Sequence, residues 1–564
     1  MAKKVKHKKL WEKFYHNTKS KVEVVNYSVY ENLYYSTKEY LNKACFDYLK
    51  KKMTFQGLLN NIEHCAKALK YSGINAGDVV SICMANTPEA VIAFYAINKI
   101  GAIANLIHPL SAEEEIKDSL IATNSELIIA IDIVHPKIKN IIDKTPTYKT
   151  VIVTPNNSMP FVIGASYYIT KGRKNLPSKN EAVIFWNDWI SQAKDFETTT
   201  LVKTTKEQPA AILQSGGTSG TPKNIILTNG NINVVVEQVK IQFPDLDYKD
   251  NMLGVLPIFH CFGLVVGIHV PLCVGAKVTL VPQFDASKFH RLILLYRPTL
   301  IIGVPTLYEA LMNNKKMKHI DLSCLKYVVS GGDSMTADKQ ERVNKFLAEH
   351  KCKARLIQGY GMTETSGPVT FGGLGSDIPG SVGIPMPSID MKIVDKTTKE
   401  ELPPREIGEI MISGPNVMLG YLDNEEETNN TLELDNKKRL WTHTGDMGYI
   451  NEDGVLFFVQ RLKRMLIVSG YNVYPSHIEE VIMKHDAVLN CGVVGIPHPY
   501  KVQVPKAYIV LKNGINVDHK IKKDIKEYCS KNLAHYMIPK EFEFRESLPK
   551  TKLGKVNYRE LEKN

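Results

Sequence analysis

From residue 78 onward, the apolar runs in the chain alternate between two periods. Residues 79–85 (VVSICMA) form a short, largely apolar run, as expected of a buried strand. Thr87, Pro88 and Glu89 then supply an N-cap, a first-turn proline and an acid matched to the helix dipole, which predicts a helix through Lys99 closed by Gly101. Residues 102–108 (AIANLIH) read as a second strand, Ser111 with Glu114 as a capping box for the next helix, and residues 127–133 (LIIAIDI) as a third strand. Repeated strand, helix, strand units predict an α/β protein built on mostly parallel sheets covered by helices.

From Pro155 to about Lys206 the pattern turns polar and irregular, as surface excursions around a few short elements would. Apolar strands resume at residues 211–214, 277–281, 300–304, 327–331 and 356–361, each running into a loop with Gly, Pro, Ser or Thr. In open parallel sheets ligands sit beyond the carboxyl ends of strands, so these loops are where a site is expected. A basic stretch, RLKR at residues 461–464, follows DGVLFFVQ and precedes a new alternating unit of about 100 residues. The expected organisation is a large unit over residues 1–460, a break at 461–464 and a small α/β unit over 465–564.

Composition narrows the class. A chain of 564 residues with 44% hydrophobic and 23% charged positions can bury a large core, which excludes disordered, collagen-like and disulfide-scaffold classes. The nine cysteines are scattered with no C-x-x-C pair, so neither a zinc site nor a disulfide framework is supported and a cytoplasmic location is expected. The net charge is +12, of which the first twenty residues, with seven lysines and Glu12, hold half. That lysine-rich start reads mainly as a solvated tail; a weak contact with a membrane surface is the partner it would suit, and no nucleic acid is expected. No apolar stretch follows those lysines, so they do not open a secretory signal. Residues 251–276 carry no formal charge, yet Pro257, His260, His269 and Pro271 interrupt them, and a buried strand and helix are expected there instead of a membrane span.

Four stretches carry chemistry. Residues 215–223 (SGGTSGTPK) follow an apolar strand and gather three glycines, two serines, two threonines and a lysine into one turn, an anion cradle of backbone N–H groups and hydroxyls. It is not a Walker loop, because proline precedes Lys223. Residues 358–367 (QGYGMTETSG) offer an aromatic face at Tyr360, a hydroxyl at Thr363 and a hard carboxylate suited to Mg²⁺ at Glu364. Asp446, in WTHTGDMGYI, could accept hydrogen bonds from ribose hydroxyls, although an Asp after Gly is commonly a turn former. Near the C-terminus, PKTKLGKVNYREL sets three lysines around Gly554.

In this order, and together with GINAGDVV at 73–80, PIFHCFG at 257–263, VVSGGD at 328–333, GSVGIPMP at 380–387 and RLKRMLIVSGYNVYPSHIEEVI at 461–482, these stretches resemble the adenylate-forming superfamily of acyl-CoA synthetases, peptide-synthetase adenylation domains and luciferases. The resemblance spans roughly residue 50 to the end and is nearest to fatty acyl-CoA ligases. Two departures, Asn224 for the usual glycine and Asn229 for a common histidine, touch none of the proposed chemistry.

The resemblance implies ATP, Mg²⁺ and coenzyme A as cofactors and a small carboxylic acid as substrate. It makes Ser215, Gly216, Gly217, Thr218, Ser219, Gly220 and Lys223 the pyrophosphate loop, with Gly331, Gly332 and Asp333 also at the nucleotide. Tyr360 would stack on adenine, Thr363 contact the α-phosphate, Glu364 hold Mg²⁺, and Asp446 and Arg461 grip the ribose. His260 would line the channel between acid and nucleotide. Lys463 would be the hinge of a mobile small domain, Gly470 and Tyr471 would line the thiol channel, and Lys555 would be the catalytic lysine. The expected reaction is acid plus ATP to acyl-adenylate, then transfer to a thiol; an enzyme loading a separate carrier protein is the alternative.

Two look-alike motifs are set aside. GGDS at 331–334 resembles a phosphopantetheine attachment site but follows an apolar strand inside the large unit. FDAS at 284–287 resembles an amino-acid-selecting aspartate, whereas the corresponding position follows Phe259 and is His260, which disfavours an amino-acid substrate. The apolar, glycine-rich stretches at 261–270 and 303–311 suit an aliphatic chain or aryl ring.

Overall fold

Two large sheets form the body of the protein. The first has nine strands, in the order Ile384–Pro385, Gly367–Phe371, Leu356–Met362, Tyr327–Ser330, Leu300–Gly303, Asn251–Gly254, Lys277–Leu280, Ala44–Tyr48, Lys51–Thr54. Its six central strands, from Leu356–Met362 to Ala44–Tyr48, run parallel, and antiparallel pairs close both edges. The second has eight strands; Pro209–Gln214, Ile103–Leu106, Val79–Cys83, Leu127–Ile131, Lys149–Val153 and Val183–Phe185 are parallel neighbours in that order. The computed structural model describes residues 9–15, 18–170, 182–214, 223–468, 471–498, 502–533, 535, 537–551 and 555–563.

Local chemistry explains the elements. Thr87 accepts a hydrogen bond from the Ala90 N–H and opens the helix Pro88–Lys99, a cap worth about 1 kcal/mol. Every residue of that helix is buried, so it is a core helix without a polar face. The next helix, Glu113–Ala122, corrects the expected capping box by one residue: its cap is Ala112, whose N–H donates to Glu115 at 2.9 Å, while the Ser111 carbonyl accepts from Lys137.

The uncharged run at 251–276 splits as expected into a buried strand and a helix. The helix is unusual: Phe262–His269 is a π-helix that passes into an α-helical turn, Val270–Cys273. It starts against the chain at Pro257, where a Cβ on Gly263 would stand 1.9 Å from the Pro257 carbonyl oxygen, so only glycine fits. Among the described residues no helix is long and apolar enough to cross a membrane.

The expectation of mostly parallel sheets holds for the two large ones only. A third, five-stranded sheet is antiparallel and contains Asp390–Val394, Gly408–Ser413, Leu440–Ile450 and Leu456–Arg461. Beyond it a 3₁₀ turn, Leu462–Arg464, leads into a smaller α/β unit. Its two long strands, Val488–His498 and Val502–Leu511, pair antiparallel. This unit has its own core around Val473, Ile478, Val493, Ile509 and Ile525.

The start of the chain is not wholly a solvated tail. Leu10–Tyr15 is a 3₁₀ helix that buries Trp11 and Tyr15, and the Tyr15 hydroxyl donates to the Pro385 carbonyl at 2.7 Å. Lys9 pairs with Asp390 at 2.5 Å and Lys13 with Asp453.

Candidate active site

The strand Leu356–Met362 and its antiparallel neighbour Gly367–Phe371 are joined by a 3₁₀ turn, Thr363–Thr365. The Thr365 hydroxyl closes this turn by accepting from the Met362 N–H and donating to the Gly367 carbonyl, which fixes Thr363 and Glu364 at the carboxyl end of the first sheet. Tyr360 is buried on the preceding strand, and its hydroxyl donates to Asp446 Oδ2 at 2.8 Å. Asp446 lies in the third sheet, in register with Arg461 at the end of the neighbouring strand, and Arg461 Nε stands 3.3 Å from Oδ1.

Oδ1 of Asp446 is buried and has no hydrogen-bond partner among the described residues. Burial pushes the Asp446 carboxyl above the usual carboxylate range, while Arg461, the Tyr360 hydroxyl and Lys555 pull it back. One oxygen is therefore engaged and the other is an open acceptor beside a cation, which fits a ribose hydroxyl.

Glu364 is also buried, and its Oε1 accepts from the Tyr421 hydroxyl at 3.0 Å. Burial raises its pKa, opposed by Tyr421, Arg461 and Lys223. Lys223 forms an ion pair with Glu427, and its ammonium lies 4.8 Å from the Tyr421 ring centroid. The end of the expected phosphate loop thus meets the expected metal ligand through one tyrosine. Among the described residues no group of three His, Cys, Asp or Glu could hold a metal. A lone carboxylate fits Mg²⁺ that arrives on nucleotide phosphates with most of its water, and not a protein-caged ion.

At the end of Tyr327–Ser330, Gly331 lies between the Phe262 ring and the Gly359 carbonyl, and Gly332 takes φ +75°, a conformation that favours glycine. Asp333 follows and accepts from the Ser334 N–H. His260 sits just before the π-helix, with its ring 6.5 Å from that of His108 and its Nε2 buried without a partner among the described residues. Its pKa falls from 6.5 to about 4, first because burial disfavours the cation and then because His108 and Lys555 are near.

Lys555 comes from the small unit. A bridge between Lys550 and Val556 and a bond from the Thr551 N–H to the Lys555 carbonyl hold its backbone. Burial lowers the Lys555 pKa; Asp333 and Asp446 oppose that shift, and Arg461 adds to it. The structure therefore brings Lys555, Asp333, Asp446, Arg461 and His260 into one electrostatic neighbourhood. Behind it, Arg464 binds Glu479 at 2.5 Å and lies 3.6 Å from the Tyr558 ring centroid, tying the start of the small unit to the segment carrying Lys555.

The expected phosphate-loop residues Ser215, Gly216, Gly217, Thr218, Ser219 and Gly220, together with Gly470 and the side chains of Lys463 and Tyr471, lie outside the described residues. Sequence reasoning missed Tyr421, His108 and Glu479, which are distant in sequence from the groups they serve. Asp285 of FDAS is a half-buried turn cap that accepts from Ser287 and pairs with Lys288.

Two helix-covered parallel sheets, with a small unit whose lysine turns toward their carboxyl ends, define the class of adenylate-forming enzymes. Residues 34–422 match the AMP-binding enzyme family and residues 477–555 the AMP-binding enzyme C-terminal domain, so the chain belongs to that family. It is 32% identical over 531 residues to a long-chain-fatty-acid–CoA ligase of Bacillus subtilis (strain 168), covering 93% of this chain and 92% of the relative. It is also 32% identical over 505 residues to 4-coumarate–CoA ligase 3 of Arabidopsis thaliana, covering 88% and 83%. The crystal structure of an anthranilate CoA ligase in complex with anthranoyl-AMP superposes with a TM-score of 0.82 at 25% identity, over 96% of this chain and 97% of that one.

Proposed function

We propose that this chain is an ATP-dependent, AMP-forming acyl-CoA ligase acting on a medium- or long-chain fatty acid. It joins the acid to the α-phosphate with release of pyrophosphate, then passes the acyl group to the thiol of coenzyme A with release of AMP. The observation that carries this reading is Lys555 facing Asp446, Arg461 and His260.

A carboxylate is already ionised near neutral pH, so the first step needs no general base; it needs charge neutralisation and alignment. Lys555 supplies a cation between acid and α-phosphate, with the Thr363 hydroxyl as a further donor. His260 stays neutral beside it, adding no competing positive charge. Asp446 and Arg461 hold the ribose and Tyr360 the adenine. Glu364 would hold Mg²⁺, whose contribution when bound is to neutralise the leaving pyrophosphate. Residues 461–464 serve as the hinge, with Lys463 at the swivel and Gly470 and Tyr471 beside the thiol in the second step. The relatives' printed names favour coenzyme A over a carrier protein as acceptor.

A small apolar cavity of about 30 Å³, which would have to open to take an acyl chain, is in keeping with an aliphatic substrate. It is lined by Val239, Met252, Val266, Leu300, Ile302 and Val329, among other apolar residues. Val266 belongs to the π-helix that follows His260, so the cavity lies along the element leading away from the proposed reacting centre. The nine cysteines are all free, which supports a reducing, cytoplasmic setting. Exchange of labelled pyrophosphate into ATP, screened over fatty, aryl and amino acids and followed by thioester detection with coenzyme A, tests the proposal. Exchange with amino acids, or none with fatty acids, would overturn it.

A further inference from the structure

The strand Leu440–Ile450 carries Asp446 on an irregularity. Against its neighbour Gly408–Ser413 the register pairs Met411 with His443 and Glu409 with Met447, so Thr444, Gly445 and Asp446 stand opposite the single residue Ile410. Such a bulge re-aims a side chain, here Asp446 toward Tyr360 and Arg461, but it also takes backbone groups out of the ladder. Two side chains take them up. The Thr444 hydroxyl accepts from the Asp446 N–H at 3.1 Å and donates to the Ile410 carbonyl at 2.7 Å, and Glu409 Oε1 accepts from the Gly445 N–H at 3.2 Å.

Glu409 is buried, and a buried carboxylate needs a compensating charge. Its Oε2 lies 3.1 Å from His443 Nδ1, and His443 Nε2 lies 2.9 Å from Oε2 of the exposed Glu433. Ionised carboxylates only accept, so both ring nitrogens must carry a proton, and His443 is an imidazolium between two anions. Hydrogen bonding to Glu409, and then to Glu433, holds the His443 pKa above its usual value against the effect of burial. Burial pushes the Glu409 carboxyl up, but His443, the Gly445 N–H and the charge of Lys399 together hold it below the usual range. The two carboxylates differ in what they lose when the histidine proton leaves. Water can serve Glu433, whereas Glu409 would keep one neutral donor and lose its counter-charge, with the Asp446 carboxylate close enough to feel it.

We propose that Glu409 and His443 are positioning residues for the nucleotide: the anion of Glu409, sustained by the cation of His443, holds the bulge that presents Asp446 to the ribose. This role rests on Asp446 being the ribose acceptor, and both residues act through it. Glu409 anchors the backbone at Gly445, one residue before Asp446, so loss of the His443 charge should disturb ribose recognition and spare the adenine and phosphate contacts. The cation is fully present below the ordinary imidazole pKa and is lost as the pH rises through the raised one, so ribose recognition should weaken toward alkaline pH. Arg461, Tyr360 and Lys555 also face Asp446 and add their own pH dependence. Arginine in place of His443 keeps the positive charge at every pH and leaves those three groups as they are.

Calorimetric titration of the full chain with Mg²⁺-ATP and with Mg²⁺-2′,3′-dideoxy-ATP tests this, because the ratio of the two dissociation constants isolates the ribose hydroxyls from the base and phosphates that both ligands share. At pH 7 the wild type is expected to prefer ATP by about tenfold or more, and His443→Gln to lose most of that preference by weakening ATP alone. Glu409→Gln, whose amide oxygen still accepts from Gly445 but carries no charge, should behave like His443→Gln, and Glu433→Gln should stay near the wild type. Between pH 7 and 9 the preference should fall in the wild type and stay flatter in His443→Arg, a comparison that needs no destabilised variant. A wild type that binds the two nucleotides alike would overturn the ribose assignment of Asp446 and this role with it. Preference retained by His443→Gln, equal weakening of both nucleotides, or the same pH trend in His443→Arg as in the wild type would overturn the positioning role alone.

Discussion

Lowering the pH from 8 to 5.5 should leave the His260 imidazole neutral, although an ordinary histidine would become a cation. The fall from 6.5 to about 4 corresponds to roughly 3 kcal/mol against protonation. At pH 5.5 about nine in ten ordinary imidazoles carry a proton, against about one in thirty with the shifted value. The sign for stability follows: between pH 6.5 and 4 the unfolded chain binds a proton at this position that the native chain refuses, so His260 subtracts from stability progressively as the pH falls. The assay is histidine-resolved NMR, alongside pyrophosphate exchange for the wild type and His260→Gln. The ratio of the two exchange rates should stay constant from pH 8 to 5.5, because one neutral group replaces another. Lys555→Ala should raise the His260 pKa by part of a unit, since one of the cations holding it down is removed. Titration of His260 near 6.5 would refute the buried neutral histidine, and a His260 pKa untouched by Lys555→Ala would refute the approach of the small unit's lysine.

Lys555→Ala should also slow adenylate formation about a hundredfold or more, as expected for losing roughly 3 kcal/mol of transition-state charge contact. Thioester formation from supplied acyl-adenylate should stay nearly intact, and parallel losses in the two steps would contradict the role. Glu364→Gln should raise the Mg²⁺ needed for half-maximal exchange several-fold, because an amide oxygen binds a hard dication more weakly; an unchanged titration removes Glu364 from the metal site. Val266→Trp should fill the apolar cavity and shift preference to shorter acids, measured as kcat/KM across chain lengths; an unchanged profile would place the acyl chain elsewhere.

The parallel strands were legible because burial on both faces makes them continuous apolar runs, as at Val79–Cys83 and Leu127–Ile131. The third sheet was not, since Leu440–Ile450 mixes buried and half-buried positions and includes Asp446, so its sequence reads as a turn motif. The π-helix left no periodic signature in a stretch that is almost wholly apolar. Trp11 and Tyr15 were visible among the lysines, but charge dominated the reading, and only the fold shows their burial against the body. Within the site, Tyr360, Glu364, Asp446 and Arg461 were findable because each sits in a recognisable local motif. The bond from Tyr421 to Glu364 spans 57 positions, and no local pattern encodes such a contact.

The order of the lining residues along the chain has a consequence for how such enzymes diversify. The side chains lining the apolar cavity precede residue 330 except for Phe371, and so do the phosphate loop and His260, whereas Tyr360, Glu364, Asp446, Arg461 and Lys555 follow it. A single exchange of gene segments between the strands Tyr327–Ser330 and Leu356–Met362 would therefore transmit most of the cavity with the phosphate loop and His260, and Phe371 with the later polar groups. Drift in the first block can then explore new acids while the proposed ribose grip, metal ligand and catalytic lysine stay constant in the second.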